Sequence, residues 1–225
     1  MKNKPILVVT LVLGVFLLTG CFLKLNEFKK DYEEVNGTTN ASGSEYRTVS
    51  IDNDNPYVEV SALDILEKIE NKETFYVYFG SRLCPWCRSV IEKSIEVAKA
   101  NHIKTIYYVD IWDDEGNEIL RDRYKLNEDG TKTTIFEGTE EYFKLLEAFN
   151  NLLEDYTLSG TSLNEKRIFA PNFIYVEDGV AQKITSGISD NQKGSRDELT
   201  EEILKDEKEL FAEFFDQGVC SDVGC

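Results

Sequence analysis

Apolar and polar positions along this chain switch repeatedly between a helical and a strand period. Ser61-Ala62-Leu63-Asp64 reads as a capped helix start, and Leu63, Leu66 and Ile69 then mark one apolar face. Thr74–Phe79 is an unbroken β-branched and aromatic run, the pattern of a buried strand. Arg88–Ala100 returns to the helical period, with Val90, Ile91, Ile95 and Ala98 on one side, and Lys104–Ile111 is a second strand. Asn117–Leu126 is read as a helical segment, and Asp129-Gly130 as a turn. Thr139–Tyr156 predicts a helix with Tyr142, Phe143, Leu146, Phe149 and Leu153 along it, and Thr157–Glu165 a polar loop. Asn172–Glu177 and Val180–Thr185 flank Asp178-Gly179, the two-residue turn of a hairpin. A capping-box start at Ser195–Glu198 opens a last helix, apolar at Ile203, Leu210, Phe211, Phe214 and Phe215 and ending near Gln217. The order of helix, strand, helix, strand, helical segment, hairpin and helix predicts an α/β fold: a central mixed sheet flanked by helices.

The two ends of the chain do not share this periodicity. Phe22–Asn55 is polar around Asn36–Ser44, a composition that reads as a flexible tether over residues 21–55. Before it, Met1–Lys4 is basic, Ile6–Leu18 is apolar but short for a membrane span, and small residues follow, as in a secretory signal. The folded domain is expected over 56–217, leaving a cysteine-containing tail at 218–225. The 225 residues carry a net charge of −17. Removing residues 1–20 takes away Lys2 and Lys4 and makes the chain more acidic still. So acidic a surface repels nucleic acid, and no basic patch stands against it.

Leu18-Thr19-Gly20-Cys21 resembles the lipobox of bacterial lipoproteins. The resemblance implies a signal peptide at 1–20, a lipid on Cys21, and a mature chain anchored to the extracytoplasmic face of a cell membrane. The alternative is an uncleaved signal anchor with an incidental cysteine. With Cys21 set aside, four of the five cysteines remain, as the close pairs Cys84/Cys87 and Cys220/Cys225. An even count outside the cytoplasm suits disulfide chemistry. Structural zinc is the competing use, but His102 is the lone histidine to support it, so neither metal nor organic cofactor is expected.

Cys84-Pro85-Trp86-Cys87 opens a helix just past a strand. The attacking species of a thiol is its thiolate, and the unpaired N–H groups and dipole of a helix N-terminus stabilise an anion. Cys84 is therefore the expected nucleophile, and Cys87, one turn further in, the thiol that resolves a mixed disulfide. Arg82 and Arg88 are expected to add positive potential. Pro85 fits the first helical position, and Trp86 is expected to lie exposed beside the thiols.

Over roughly Val60–Gln217 the chain resembles the thioredoxin-like superfamily, through the strand–CPWC–helix unit and Ala170-Pro171 before NFIYV and the Asp-Gly hairpin. Within it, FYVYFGSRLCPWC is similar to the thioredoxin-like accessory lipoproteins of Gram-positive bacteria, some linked to bacteriocin export. The resemblance implies a thioredoxin-like fold with a cis-proline at Pro171 facing an exposed dithiol. Ala170 and Pro171 would then present backbone to an extended substrate. It further implies thiol–disulfide exchange with secreted or membrane proteins, and a membrane electron donor as a further partner. The chain departs from the family at Tyr78, where a buried acid is usual, and over 127–166, read as a helical insertion before the cis-Pro strand. Cys220 and Cys225 are either a small disulfide staple or a second redox pair. The rival reading of the whole is a binding or assembly module with a structural Cys84–Cys87 disulfide, and a further one is thiolate metal storage.

Overall fold

The computed structural model describes residues 27–216. The expected signal peptide at 1–20, Cys21, the tail at 218–225, Cys220 and Cys225 lie outside the described residues. Five strands make the central sheet: β1 (Tyr57–Glu59), β2 (Phe75–Gly80), β3 (Ile106–Asp110), β8 (Asn172–Glu177) and β9 (Val180–Thr185), in the order β1-β3-β2-β8-β9. β1 and β2 pair parallel with β3, whereas β8 runs antiparallel to both β2 and β9. Strand β2 is central and buried at every position, because its side chains alternate between two covered faces. Tyr76 and Tyr78 enter one core with α3 (Pro85–Ala100) and α5 (Glu201–Phe215). Phe75, Val77 and Phe79 enter the other with α2 (Ala62–Glu70) and α4 (Glu140–Phe149). This is the thioredoxin-like fold: parallel β-strands joined by helical crossovers, then an antiparallel hairpin and a return helix.

Local chemistry sets most boundaries. Ser61 caps α2, with a reciprocal box to Asp64. In the β8–β9 turn Asp178 and Gly179 both have positive φ, of 50° and 78°, as such hairpins require. A Cβ on Gly179 would also lie 2.5 Å from the Ile69 carbonyl oxygen. The last helix begins later than Ser195–Glu198 suggests, because the side chain of Thr200, not Ser195, accepts from the helix N–H groups.

The segment between β3 and β8 differs from expectation. Residues 117–122 are irregular, and the helix read at Asn117–Leu126 is absent. In its place β4 (Arg123–Leu126) pairs with β5 (Lys132–Phe136). The polar loop read at Thr157–Glu165 belongs to a second hairpin, β6 (Glu154–Leu158) with β7 (Thr161–Arg167). Helix α4 ends at Phe149, short of Tyr156, and packs on α2 and β9. It is thus the crossover helix of the fold, and the insertion consists of the two flanking hairpins rather than of a helix. Hairpins escape a periodicity reading when both faces are polar, and β5 is exposed along nearly its whole length.

Residues 27–55 also depart from the expected tether. A helix over residues 27–34, α1, packs on the sheet, with Phe28, Tyr32, Val35, Val49 and Ile51 buried. Phe28 stacks on Tyr57 at 4.4 Å between ring centroids. Arg88 of α3 lies 1% exposed and ties the segment down. Its guanidinium donates to the carbonyls of Arg47 (2.7 Å), Tyr32 (2.8 Å) and Arg82 (3.1 Å) and to Asn36 Oδ1 (2.6 Å). Five widely spaced apolar residues in a polar stretch suffice here because a buried arginine satisfies the backbone around them. Among the described residues no helix is long and apolar enough to cross a membrane.

Candidate functional site

The C-terminal end of β2 delivers the chain into α3 through Ser81-Arg82-Leu83, with Cys84 as the N-cap and Pro85 in the first turn. Cys84 Sγ accepts from the Cys87 N–H at 3.4 Å, and the first turn of α3 holds no acidic residue. Both cysteines are free thiols and both are buried, Cys84 to 4% exposure and Cys87 completely. The exposed dithiol of the sequence reading is therefore recessed. Trp86, expected to be exposed, is half-buried against the core.

Pro171 comes to the dithiol from the start of β8, the strand beside β2. The Ala170–Pro171 peptide bond is cis, and the Cys84 thiol donates to the Ala170 carbonyl at 3.6 Å. Asn172 holds this turn, accepting from the Phe169 N–H at 2.7 Å and donating to the Pro171 carbonyl at 3.0 Å. Beside it a groove of about 360 Å³ is bounded by Trp86, Ala170 and Pro171, by Ile184 and Ile188, and by Leu152 and Glu154 leading into β6. The inserted hairpin thus supplies part of the wall next to the thiols.

The two sulfurs differ in acidity. Cys84 is held below its ordinary value by hydrogen bonds from the Cys87 side chain and from the N–H groups of Cys87 and Trp86, and by the Arg121 charge, against the effect of burial. Burial, and then the neighbouring Cys84, push Cys87 well up. Arg82 and Arg88, expected to support the thiolate, both have their guanidinium groups engaged elsewhere. Arg82 is engaged by Glu34 (2.8 Å) and Asp114 (2.9 Å), and Arg88 is spent on carbonyls of the N-terminal segment. Arg121, which the sequence reading passed over, is a cation whose charge favours the Cys84 thiolate. It is buried, forms a two-pronged contact with Glu118 (2.8 and 2.9 Å), and donates to the Ile168 carbonyl at 3.2 Å, just before the cis turn. Arg167 makes a second clamp, to the Asp122 carbonyl at 2.7 Å.

Behind Cys87, Tyr78 occupies the position where the family resemblance led to an acid. Its side chain is buried in the same core as Cys87, and its hydroxyl lies 2.8 Å from the Tyr32 hydroxyl of α1. Tyr108 stacks on Tyr78 and donates to Asp110 Oδ2 at 2.7 Å. Burial pushes all three tyrosines well above their ordinary value. Asp110 is visible in the sequence as the acid closing the apolar run of β3. Register places it opposite Gly80, at the edge of the dithiol loop. Nothing local in the sequence brings Tyr32 here.

No protein-family model and no curated protein matches the chain. Among solved structures it is similar to thioredoxin O2 from Arabidopsis thaliana in the oxidized state, at 16% identity and a TM-score of 0.32, over 60% of this chain and 85% of that one.

Proposed function

We propose that this protein is a thiol–disulfide oxidoreductase that acts on protein cysteines through Cys84 and Cys87. The observation that carries the reading is the split between the thiols: Cys84 sits at a helix N-terminus with its acidity enhanced, while Cys87 lies behind it, buried and held protonated. A nucleophile needs the thiolate, and a resolving thiol needs to stay silent until the mixed disulfide has formed. In the reductive direction Cys84 attacks a client disulfide and forms a mixed disulfide. Cys87 then attacks Cys84, the client leaves as a thiol, and the Cys84–Cys87 disulfide remains. In reverse the same steps oxidise a client dithiol. Because Cys84 is recessed, the client disulfide must enter the groove between Trp86 and the Ala170–Pro171 turn, as an extended segment does. In this proposal Cys21 carries a lipid that holds the domain at the extracytoplasmic face of a cell membrane, where secreted and membrane proteins are the clients and a membrane donor returns electrons.

The experiment is a trap. In a chain with Cys220 and Cys225 changed to Ser, Cys87→Ser accumulates a mixed disulfide with a disulfide-bonded client such as insulin, and Cys84→Ser accumulates none. The burial of Cys84 favours a second reading, an assembly module whose two cysteines are structural. Absence of any trapped adduct, together with no insulin reduction by the parent chain, decides for that module.

A further inference from the structure

The groove beside the dithiol carries a charge that the exchange chemistry does not use. Its walls are mostly apolar. Trp86, Leu152, Phe169, Ile184 and Ile188 line it, each half-buried, so each keeps surface for a client to cover. Its uncharged polar side chains are committed to their own turns. Asn172 holds the cis turn, the Thr185 hydroxyl accepts from the Gly187 N–H at 3.0 Å, and the Ser186 hydroxyl accepts from the Ile188 N–H at 3.3 Å. Glu154 is the one charged residue lining the groove, and it is exposed. We propose, resting on the exchange reading above, that Glu154 determines specificity: the groove takes extended client segments that carry a lysine or arginine close to the cysteine under attack.

The inserted hairpin explains why this carboxylate is free to choose a partner. Glu154 opens β6, and its register partner on β7 is Arg167. An opposite charge directly across a strand pair normally neutralises its neighbour. Arg167 instead turns inward. It is buried, donates to the Asp122 carbonyl at 2.7 Å and to Asp122 Oδ1 at 3.2 Å, and lies 4.1 Å from the Tyr156 ring centroid. The next rung shows the contrast, because there Asp155 pairs with Lys166 at 2.9 Å. Among the described residues Glu154 forms no ion pair.

The apolar walls make this single charge selective. They displace water, so a client charge meets the carboxylate at a lower effective dielectric than in bulk solvent. A lysine or arginine there exchanges water for a partner, whereas an aspartate or glutamate loses water and is repelled. Rejection of acidic segments therefore contributes alongside attraction of basic ones. The net charge of −17 pulls in the same direction from afar. That pull is screened beyond a Debye length of about 8 Å at physiological ionic strength, whereas a contact inside the groove is screened much less. The covalent step is the one already described. The Cys84 thiolate attacks one sulfur of the client disulfide and bonds to it, the client S–S bond breaks, and the other sulfur leaves as a thiolate. Glu154 meets a side chain near that bond and takes no part in breaking it.

The test uses the full chain with Cys87, Cys220 and Cys225 changed to Ser, so that the adduct at Cys84 persists. Two peptides differ at one position near their single cysteine, lysine in one and glutamate in the other. Each is disulfide-linked to a chromogenic aryl thiol whose release reports adduct formation, and mass measurement identifies the adduct. At physiological ionic strength the lysine peptide is expected to react about 5-fold faster than the glutamate peptide, the scale of one exposed ion pair gained and one repulsion avoided. Glu154→Gln should bring that ratio to unity, and Glu154→Lys should invert it. Both rates are taken on the same chain, so a variant that folds or reacts less well lowers both and leaves the ratio readable. A ratio unchanged in either variant assigns the preference to the net charge or to another acidic group and overturns the proposal. A parent chain that forms adducts with both peptides at equal rates overturns this inference alone. A parent chain that forms no adduct with either overturns the exchange reading and this inference with it.

Discussion

At the scale of single residues, charge placement rather than charge number decides the chemistry. The chain is strongly acidic, yet the Arg121 charge favours the thiolate of its reactive sulfur, and that arginine is itself paired with Glu118. Changing both to Gln, so that no carboxylate is left buried alone, should raise the Cys84 pKa and slow its alkylation at neutral pH. Thiolate absorbance against pH measures the shift. An unpaired buried carboxyl bears on stability. Glu207 of α5 is fully buried, neither carboxylate oxygen has a hydrogen-bond partner, and burial pushes its pKa up to about 7 from an ordinary 4.5. The folded chain therefore keeps this proton between those values, where the unfolded chain has released it. Stability is fullest below pH 4.5 as far as this group is concerned and falls as pH rises towards 7. Glu207→Gln should remove that part of the slope and gain up to about 3 kcal/mol at pH 8, because the amide has no charge to bury when the carboxyl would ionise. Urea unfolding of both chains at pH 5 and pH 8 checks it.

At the scale of elements, α1 and the stretch after it are the unexpected structural members. Phe28 is buried against Tyr57 and Tyr108, and Tyr32 reaches the back of the dithiol. Phe28→Ala should cost about 3–5 kcal/mol, as core aromatic truncations do. It should also expose residues 27–55 to protease before the rest of the domain, seen by limited digestion with mass readout. A true tether would show neither effect. The hairpins β4–β5 and β6–β7 serve differently. They hang on the crossover between β3 and α4 and between α4 and β8, and near their roots Arg121 holds the Ile168 carbonyl just before the cis turn while Arg167 holds Asp122. Their outer faces are polar and stay in solvent, so they shape the groove wall without adding much core.

At the scale of the molecule, four of the five strands of the sheet, the helices that flank it and the dithiol were legible because they depend on near neighbours, whereas the three-residue β1 was not read. Hydrophobic period set α2, β2, α3, β3, β8 and α5, turn chemistry set Asp178-Gly179, and a proline inside a helix start set the position of Cys84. Two kinds of feature were not legible. Polar hairpins carry no one-sided pattern, so β4–β5 and β6–β7 passed for helix and loop. Long-range burial carries no local signal either, so a polar stretch passed for a tether, and Arg88 for a source of potential at the thiols. By itself the sequence determined that two cysteines would stand at a helix N-terminus at the end of a buried strand, and only the family resemblance put Ala170-Pro171 in their reach. Only the tertiary structure decided that Cys84 would be recessed, that the Arg121 charge would favour its thiolate while Arg82 and Arg88 were engaged elsewhere, and that Tyr32, Tyr78, Tyr108 and Asp110 would gather behind Cys87. Periodicity and turns are fixed by residues a few positions apart. The field and the polar contacts around a buried sulfur are fixed by side chains that meet only when distant elements close over the same face of the sheet.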